Sequence, residues 1–223
     1  MNANTIIITG SNGATASSLM SYFADHYKTV IGISRNPNQK DLGKNIHTLK
    51  ADISSFKEAE DVIIEINKTH QDIDCLINCA GGFDMGKTIE DNHYQWEQMY
   101  TINFITCLNV CKTVIPLMKQ RQSGSIINFG SKAAIDGFAN AAPYLVSKSA
   151  VHAFTKFVAI ETKDDNIRCN AILPGVIDTT ANRNAMPDED FTQWENPNDI
   201  ARKAHQILQS SISGQLITLD QDI

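Results

Sequence analysis

The chain has 223 residues, 42% hydrophobic and 20% charged, with 19 basic residues against 25 acidic ones. At roughly 150 residues per domain, one large domain spanning 1–223 is expected. The apolar fraction excludes disorder, and 12 glycines and 6 prolines exclude collagen-like and low-complexity classes. The net charge of −6 argues against nucleic acid as the main partner, because phosphate binding needs a cationic surface.

The first ten residues, MNANTIIITG, carry no basic segment and are not read as a signal peptide. No unbroken run approaches the ~18 apolar residues of a membrane span, so a cytoplasmic protein without a membrane partner is expected. The five cysteines (Cys75, Cys79, Cys107, Cys111, Cys169) form an odd set with no CxxC pair and read as reduced thiols. Cys107 and Cys111 stand one helical turn apart and read as a helix core face, with no metal site expected.

In chain order, Thr5 to Thr9 (TIIIT) is a buried strand stopped by Gly10. Leu19, Tyr22 and Phe23 give an amphipathic helix ending near His26. Lys28 to Ile33 is a second strand closed by the polar turn SRNPN, and Asn45 to Lys50 a weaker third. Phe56 to Thr69 is helical, with Ala59, Val62, Ile63 and Ile66 on one face. Ile73 to Asn78 is a fourth strand running into the turn Ala80-Gly81-Gly82. Trp96 to Gln120 is a long helix, with Pro116 expected to kink or shorten its end. Ser125 to Phe129 is a fifth strand. Tyr144 to Ile160 is a second long helix, apolar all round its middle, which implies burial on more than one face. Arg168 to Leu173 is a sixth strand stopped by Pro174-Gly175. A polar loop follows, then a helix from Asn198 to Leu208 and a last strand from Gln215 to Leu219. Strands alternating with helices predict one doubly wound parallel sheet of about seven strands (a Rossmann fold), with helices on both faces.

Chemistry concentrates at a few places. The first strand ends in Thr9-Gly10-Ser11-Asn12-Gly13-Ala14-Thr15-Ala16 and feeds a helix. The two glycines permit a tight turn and a close ligand approach, and the helix N-terminus offers free N–H groups to a pyrophosphate. The spacing is G-x-x-G-x-x-A rather than G-x-G-x-x-G, with Ala16 small enough for close helix–strand packing. Tyr144 and Lys148 are four apart and share a helix face. An ammonium beside a phenol favours phenolate and makes a usable acid and base. Ser131 follows the fifth strand at its carboxyl end, the edge where ligands bind in open α/β sheets. Asn103, inside a helix, ordinarily reads as a tolerated polar residue.

Taken together these features resemble the short-chain dehydrogenase/reductase family over nearly the whole chain. The matching motifs are the TGSNGATA turn, Asp52, the turn Asn78-Cys79-Ala80-Gly81, Asn103, Ser131 thirteen residues before Tyr144, Tyr144-Leu-Val-Ser-Lys148, and Pro174-Gly175 with Thr179. The resemblance implies hydride transfer between a nicotinamide cofactor and a small carbonyl or alcohol. Tyr144 would protonate the developing oxyanion and Ser131 would hydrogen-bond it. Lys148 would hold the nicotinamide ribose and depress the tyrosine pKa, and Asn103 would anchor a water relaying protons to it. Cofactor contacts are expected from Gly10, Ser11, Asn12, Gly13 and Ala14, and from Asp52, Ile53, Asn78, Ala80 and Gly81. Tyr144, Lys148, Pro174, Gly175, Ile177 and Thr179 complete that set. His152 receives no catalytic role. A homodimer or homotetramer built on the two long helices is implied as well.

The chain departs from the family pattern at Cys79, where asparagine is usual, and at Ala14 and Ala16, where glycines are customary. It also ends Leu219-Asp-Gln-Asp-Ile in place of a glycine-rich segment. Within the second half, Ser131 to Gly137, Ala150-Val151-His152 and Leu173 to Trp194 are similar to the dihydropteridine reductase branch, which reduces a quinonoid pterin. A non-catalytic dinucleotide-sensing module is the alternative of another class. Cofactor choice is read after the second strand, where Ser34-Arg35-Asn36 stands and no carboxylate comes before Asp41. Arg35 fits a 2′-phosphate through its planar fork, with Ser34 adding a hydroxyl, so NADPH is expected ahead of NADH. The branch resemblance pulls the other way, toward NADH.

Overall fold

The computed structural model describes residues 5–37, 43–70, 72–88 and 93–223. Seven parallel strands form one sheet in the order β3-β2-β1-β4-β5-β6-β7. They are β1 (Thr5–Thr9), β2 (Thr29–Ser34), β3 (Ile46–Lys50), β4 (Ile73–Asn78), β5 (Gly124–Phe129), β6 (Ile167–Ile172) and β7 (Leu216–Ile217). The order reverses between β1 and β4, and that switch point opens a crevice at the carboxyl ends of the strands. The predicted doubly wound sheet is what the chain forms. Asn38 of the polar turn and Asp41 lie outside the described residues.

The helices are α1 (Ala14–Phe23), α2 (Phe56–His70), α3 (His93–Tyr100), α4 (Thr106–Arg121), α5 (Ala133–Asp136), α6 (Ala142–Glu161), α7 (Thr180–Ala185) and α8 (Pro197–Gln209). Period-two alternation along each strand sends neighbours to opposite faces. Ile7 joins Val62, Ile63, Val110, Val114 and Val158 beneath α2, α4 and α6. Ile6 and Ile8 join Leu19, Phe23, Ala204 and Ile207 beneath α1 and α8. Each central strand is therefore covered on both sides, which is why β1 reads as an unbroken apolar run.

Two long-helix expectations need correction. Pro116 neither ends nor shortens α4, which continues to Arg121 and closes at Gln122 in the left-handed conformation. Val114 and Met118 on either side of it are fully buried in the core, and that packing outweighs the missing N–H. The irregularity lies instead at Thr101–Ile105, a π-helical turn between α3 and α4. The run His93–Arg121 is long and apolar enough by length and composition to cross a membrane. Here its apolar face, including Cys107 and Cys111, is spent on the sheet. The loop after β6 holds the short helix α7 and a single 3-10 turn, and β7 is shorter than expected.

Candidate active site

The crevice has a volume of about 560 Å³ and runs from the turn after β2, past the β1–α1 turn, to Tyr144 and Lys148. Gly10 adopts φ +74°, and a Cβ there would stand 2.8 Å from the Ala80 backbone, so only glycine lets the two turns approach. The N–H groups of Gly10 and Ser11 are spent on the Ile33 carbonyl at 2.8 and 3.2 Å. Gly13 caps α1 without a side chain, and the first turn carries no acidic residue. Its uncapped N–H groups suit an anion, and no carboxylate opposes one. This uncapped N-terminus and the glycine-enforced approach fit a dinucleotide.

Ser11 is a correction to the expected contacts. It is buried and packs against Gly32, where a Cβ would meet its own Cβ at 2.6 Å, and it is not on the crevice wall. Asn12 does line the wall, and its amide donates to the Asn36 carbonyl, tying the glycine turn to the end of β2. Ser34 and Arg35 line the same end, and the buried Ser34 hydroxyl finds no partner among the described residues. Asp52 accepts from the Ser54 hydroxyl at 2.7 Å and its N–H at 3.1 Å. Those bonds, the hydroxyl first, hold its carboxyl below the usual carboxylate range, with Arg35 acting in the same direction. Ile53, Ala80, Gly81, Pro174, Gly175, Ile177 and Thr179 all line the crevice, as do Gly10, Gly13 and Ala14.

Asn78 is a second correction. Its amide donates to Asn128 Oδ1 at 2.9 Å and to Cys111 Sγ at 3.2 Å, inside the sheet and off the crevice wall. Cys79 reaches the wall from this turn together with Ala80 and Gly81, and burial pushes its thiol up to about 12. Strand alternation explains the exchange, since adjacent residues at the end of β4 face opposite ways.

At the chemical end, Tyr144 and Lys148 come from the first half of α6 and both line the crevice. Ser131 is buried and off the crevice wall, close enough to Tyr144 to lower its phenol pKa. Burial raises the phenol pKa, and the Ser131 hydrogen bond pulls it back only in part. The net shift is upward, opposite in sign to the lowering expected from Lys148. The Lys148 ammonium donates instead to the Phe129 carbonyl at 2.8 Å, and burial pushes its pKa down to about 8.

Asn103 sits in the π turn, behind the crevice wall. Its amide donates to the Gly82 carbonyl at 3.0 Å and to Ser147 Oγ at 3.1 Å, while Gly82 N–H donates to its Oδ1 at 3.0 Å. Ser147 in turn donates to the Tyr144 carbonyl at 2.7 Å. Asn103 thus clamps the turn after β4 to the start of α6. His152, given no role from sequence, accepts a hydrogen bond at Nε2 from Ser131 N–H at 3.2 Å. Sequence reasoning also missed Phe83, whose ring meets Tyr144 edge-on at 4.9 Å. Phe83 reaches the site from a loop distant in sequence, whereas His152 lies one turn beyond Lys148 on α6, and that i+4 spacing is the signal that could have marked it.

A parallel sheet with this crevice and a Ser–Tyr–Lys cluster at one end defines a dinucleotide-dependent oxidoreductase fold. The sequence profile described as short chain dehydrogenase matches residues 4–190. The asnovolin H dehydrogenase nvfC of Aspergillus novofumigatus is 30% identical over 190 residues, covering 83% of this chain and 74% of that protein. The short chain dehydrogenase adrF of Penicillium roqueforti is 34% identical over 184 residues, covering 78% and 70%. The structure of ElxO with NADP bound superposes with a TM-score of 0.89 at 22% identity, covering 98% of this chain and 97% of that one, a likeness of fold. The chain belongs to the short-chain dehydrogenase/reductase family and is by class an NAD(P)-dependent oxidoreductase. These relatives lend no support to the finer dihydropteridine reductase placement.

Proposed function

We propose that the protein reduces a small carbonyl compound, or oxidises the corresponding alcohol, with Tyr144 as acid and base. The observation that carries this reading is that Tyr144 and buried Lys148 line one end of the crevice, with buried Ser131 close to the Tyr144 hydroxyl. When bound, the nicotinamide supplies or accepts the hydride at the substrate carbon. Tyr144 Oη gives its proton to the substrate oxygen as negative charge develops there, and takes it back in the reverse direction. Its raised pKa keeps the phenol protonated at neutral pH, the state an acid needs. Ser131 Oγ donates a hydrogen bond to the same oxygen. Lys148, protonated below about 8, holds the ribose hydroxyls and keeps positive charge near the reacting oxygen. Asn103 positions Tyr144 through Ser147 and the Gly82 turn, and anchors the water that relays protons to Lys148.

Tyr144→Phe tests this directly. It keeps the ring and its packing against Phe83 but removes the proton. The expected result is a fall in kcat of at least about 100-fold with nearly unchanged cofactor affinity. Retained turnover would move the chemistry elsewhere, and lost cofactor binding would recast Tyr144 as structural.

NADPH is placed ahead of NADH, supported by Arg35 and the unpartnered Ser34 hydroxyl at the end of β2. We further propose one domain over 1–223, a homo-oligomer through α4 and α6, and a cytoplasmic location. All five cysteines being free thiols supports the last.

A further inference from the structure

We infer that the substrate end of the crevice takes an uncharged apolar ketone or alcohol, its oxygen carried on a hydrocarbon ring system. This rests on the carbonyl-reducing reading above and narrows its substrate. Two loops meet beside Tyr144. Gly86 N–H donates to the Asn140 carbonyl at 2.7 Å, and Ala142 N–H donates to the Gly86 carbonyl at 3.1 Å, which stitches the loop after β4 to the loop before α6. Phe83 from the first loop packs its ring against Tyr144, and Phe138 from the second lies 6.4 Å from Phe83. Phe83 is 55% exposed and Phe138 47%, while Met85 on the first loop and Ile135 on α5 are at least as open as Phe138. A single exposed apolar side chain carries no message. Phe83 on the crevice wall, with the exposed Phe138 ring next to it on the joined loop, describes a surface that an apolar ligand covers.

The other bank of the crevice argues against charge. The segment 173–195, from which Ile177, Thr179 and Asn182 reach the crevice wall, carries Asp178, Asp188, Glu189, Asp190 and Glu195 against one cation, Arg183. That guanidinium is held by both oxygens of Asp178, at 2.6 and 2.8 Å, and lies over the Phe191 ring at 4.6 Å. The segment is thus net negative with its one cation already neutralised, and it offers no counter-charge to a carboxylate or phosphate on the substrate. The ring faces of Phe83 and Phe138 offer no donors or acceptors to the hydroxyls of a polyol, which would lose water there without recompense.

The test is a comparison of ketones with saturating NADPH: decalone, cyclohexanone, dihydroxyacetone and pyruvate. The expected kcat/KM for decalone exceeds that for cyclohexanone by about tenfold, the scale of two methylenes' worth of burial, and both exceed the polar pair. Phe138→Ala and, separately, the milder Phe83→Leu should each lower the decalone-to-cyclohexanone ratio at least about threefold, chiefly through KM. A preference for dihydroxyacetone or pyruvate, or a ratio unmoved by both substitutions, overturns the inference. If no ketone is turned over, the reductase reading fails. Calorimetric titration of the protein–NADPH complex then decides the inference by itself. Tighter binding of decalone than of dihydroxyacetone upholds it, and equal or weaker binding overturns it.

Discussion

Ser131 is held by a histidine that sequence reasoning set aside. Burial, with Lys148 and Lys156 adding to it, pushes the His152 pKa down to about 4, so at neutral pH the ring is an uncharged acceptor for Ser131 N–H. The folded value lies below the ordinary histidine value of 6.5, so the unfolded chain binds this proton more readily. The stabilisation is therefore complete above about 6.5 and is lost as pH falls toward about 4. Thermal unfolding followed across that window should show Tm falling with acidity, and His152→Gln, which keeps an acceptor, should flatten the slope. An unchanged slope would assign the effect to other groups, His70 and His205 among them, whose pKa values burial also lowers. Arg35 sets a second prediction at this scale. Arg35→Ala should weaken NADPH binding about tenfold or more, the loss of one charge-assisted pair, and leave NADH unchanged in fluorescence titrations. Equal binding of both cofactors by the natural protein would show that Arg35 does not read the phosphate.

Among the elements, β4, β5 and α6 are joined by a buried polar ladder beneath the site. Asn78 donates to Asn128, and Asn128 donates to Thr155 Oγ1 at 2.9 Å, which itself donates to the Val151 carbonyl at 2.8 Å. Cys107 Sγ reaches Asn128 Oδ1 from α4 at 3.3 Å. Asn128→Ala removes one hydrogen bond each from the Asn78 amide, which keeps Cys111, and the Thr155 hydroxyl, which keeps Val151, and opens space in the core. Urea unfolding should show a loss of about 2–4 kcal/mol, and a loss under 1 would mean that water replaces the side chain. The same region shows where reading a sequence stops. The apolar periodicity of Trp96 to Gln120 gives a helix, but it carries no trace of the π turn at Thr101–Ile105. That turn holds Asn103, whose side chain binds Gly82 and Ser147, partners contributed by other elements. A local propensity has no term for such partners.

For the whole molecule, the outer face of α6 is unusually apolar. Val146, Phe157 and Ile160 fall on one stripe of the helix, with Phe157 61% and Ile160 70% exposed in the single chain. The expected all-round burial of this helix is met toward the sheet, through Val151, Val158 and Ala159, and toward α3 and the π turn, where Phe154 meets Phe104, but not on this stripe. A second copy covering the open stripe is the prediction: light scattering at micromolar concentration should give two or four times the chain mass. Phe157→Glu, a charge placed within the stripe, should shift the protein toward the monomer without loss of helix content. A natural protein that is monomeric at that concentration would sink the prediction.

The sequence by itself determined the parallel sheet, because a fully buried strand such as Thr5–Thr9 must be continuously apolar and each helix must show its stripe. It also determined the candidates Gly10, Ser131, Tyr144 and Lys148, since turn chemistry and helical spacing are local properties. Only the tertiary structure decided which way each candidate faces. Asn78 and Ser11 turned into the core, and Cys79 reached the crevice in their place. Lys148 donates a hydrogen bond to the Phe129 carbonyl rather than facing the phenol alone, and burial raised the pKa of Tyr144. Orientation, desolvation and partners from distant elements are set by packing, and they exist only once the chain has folded.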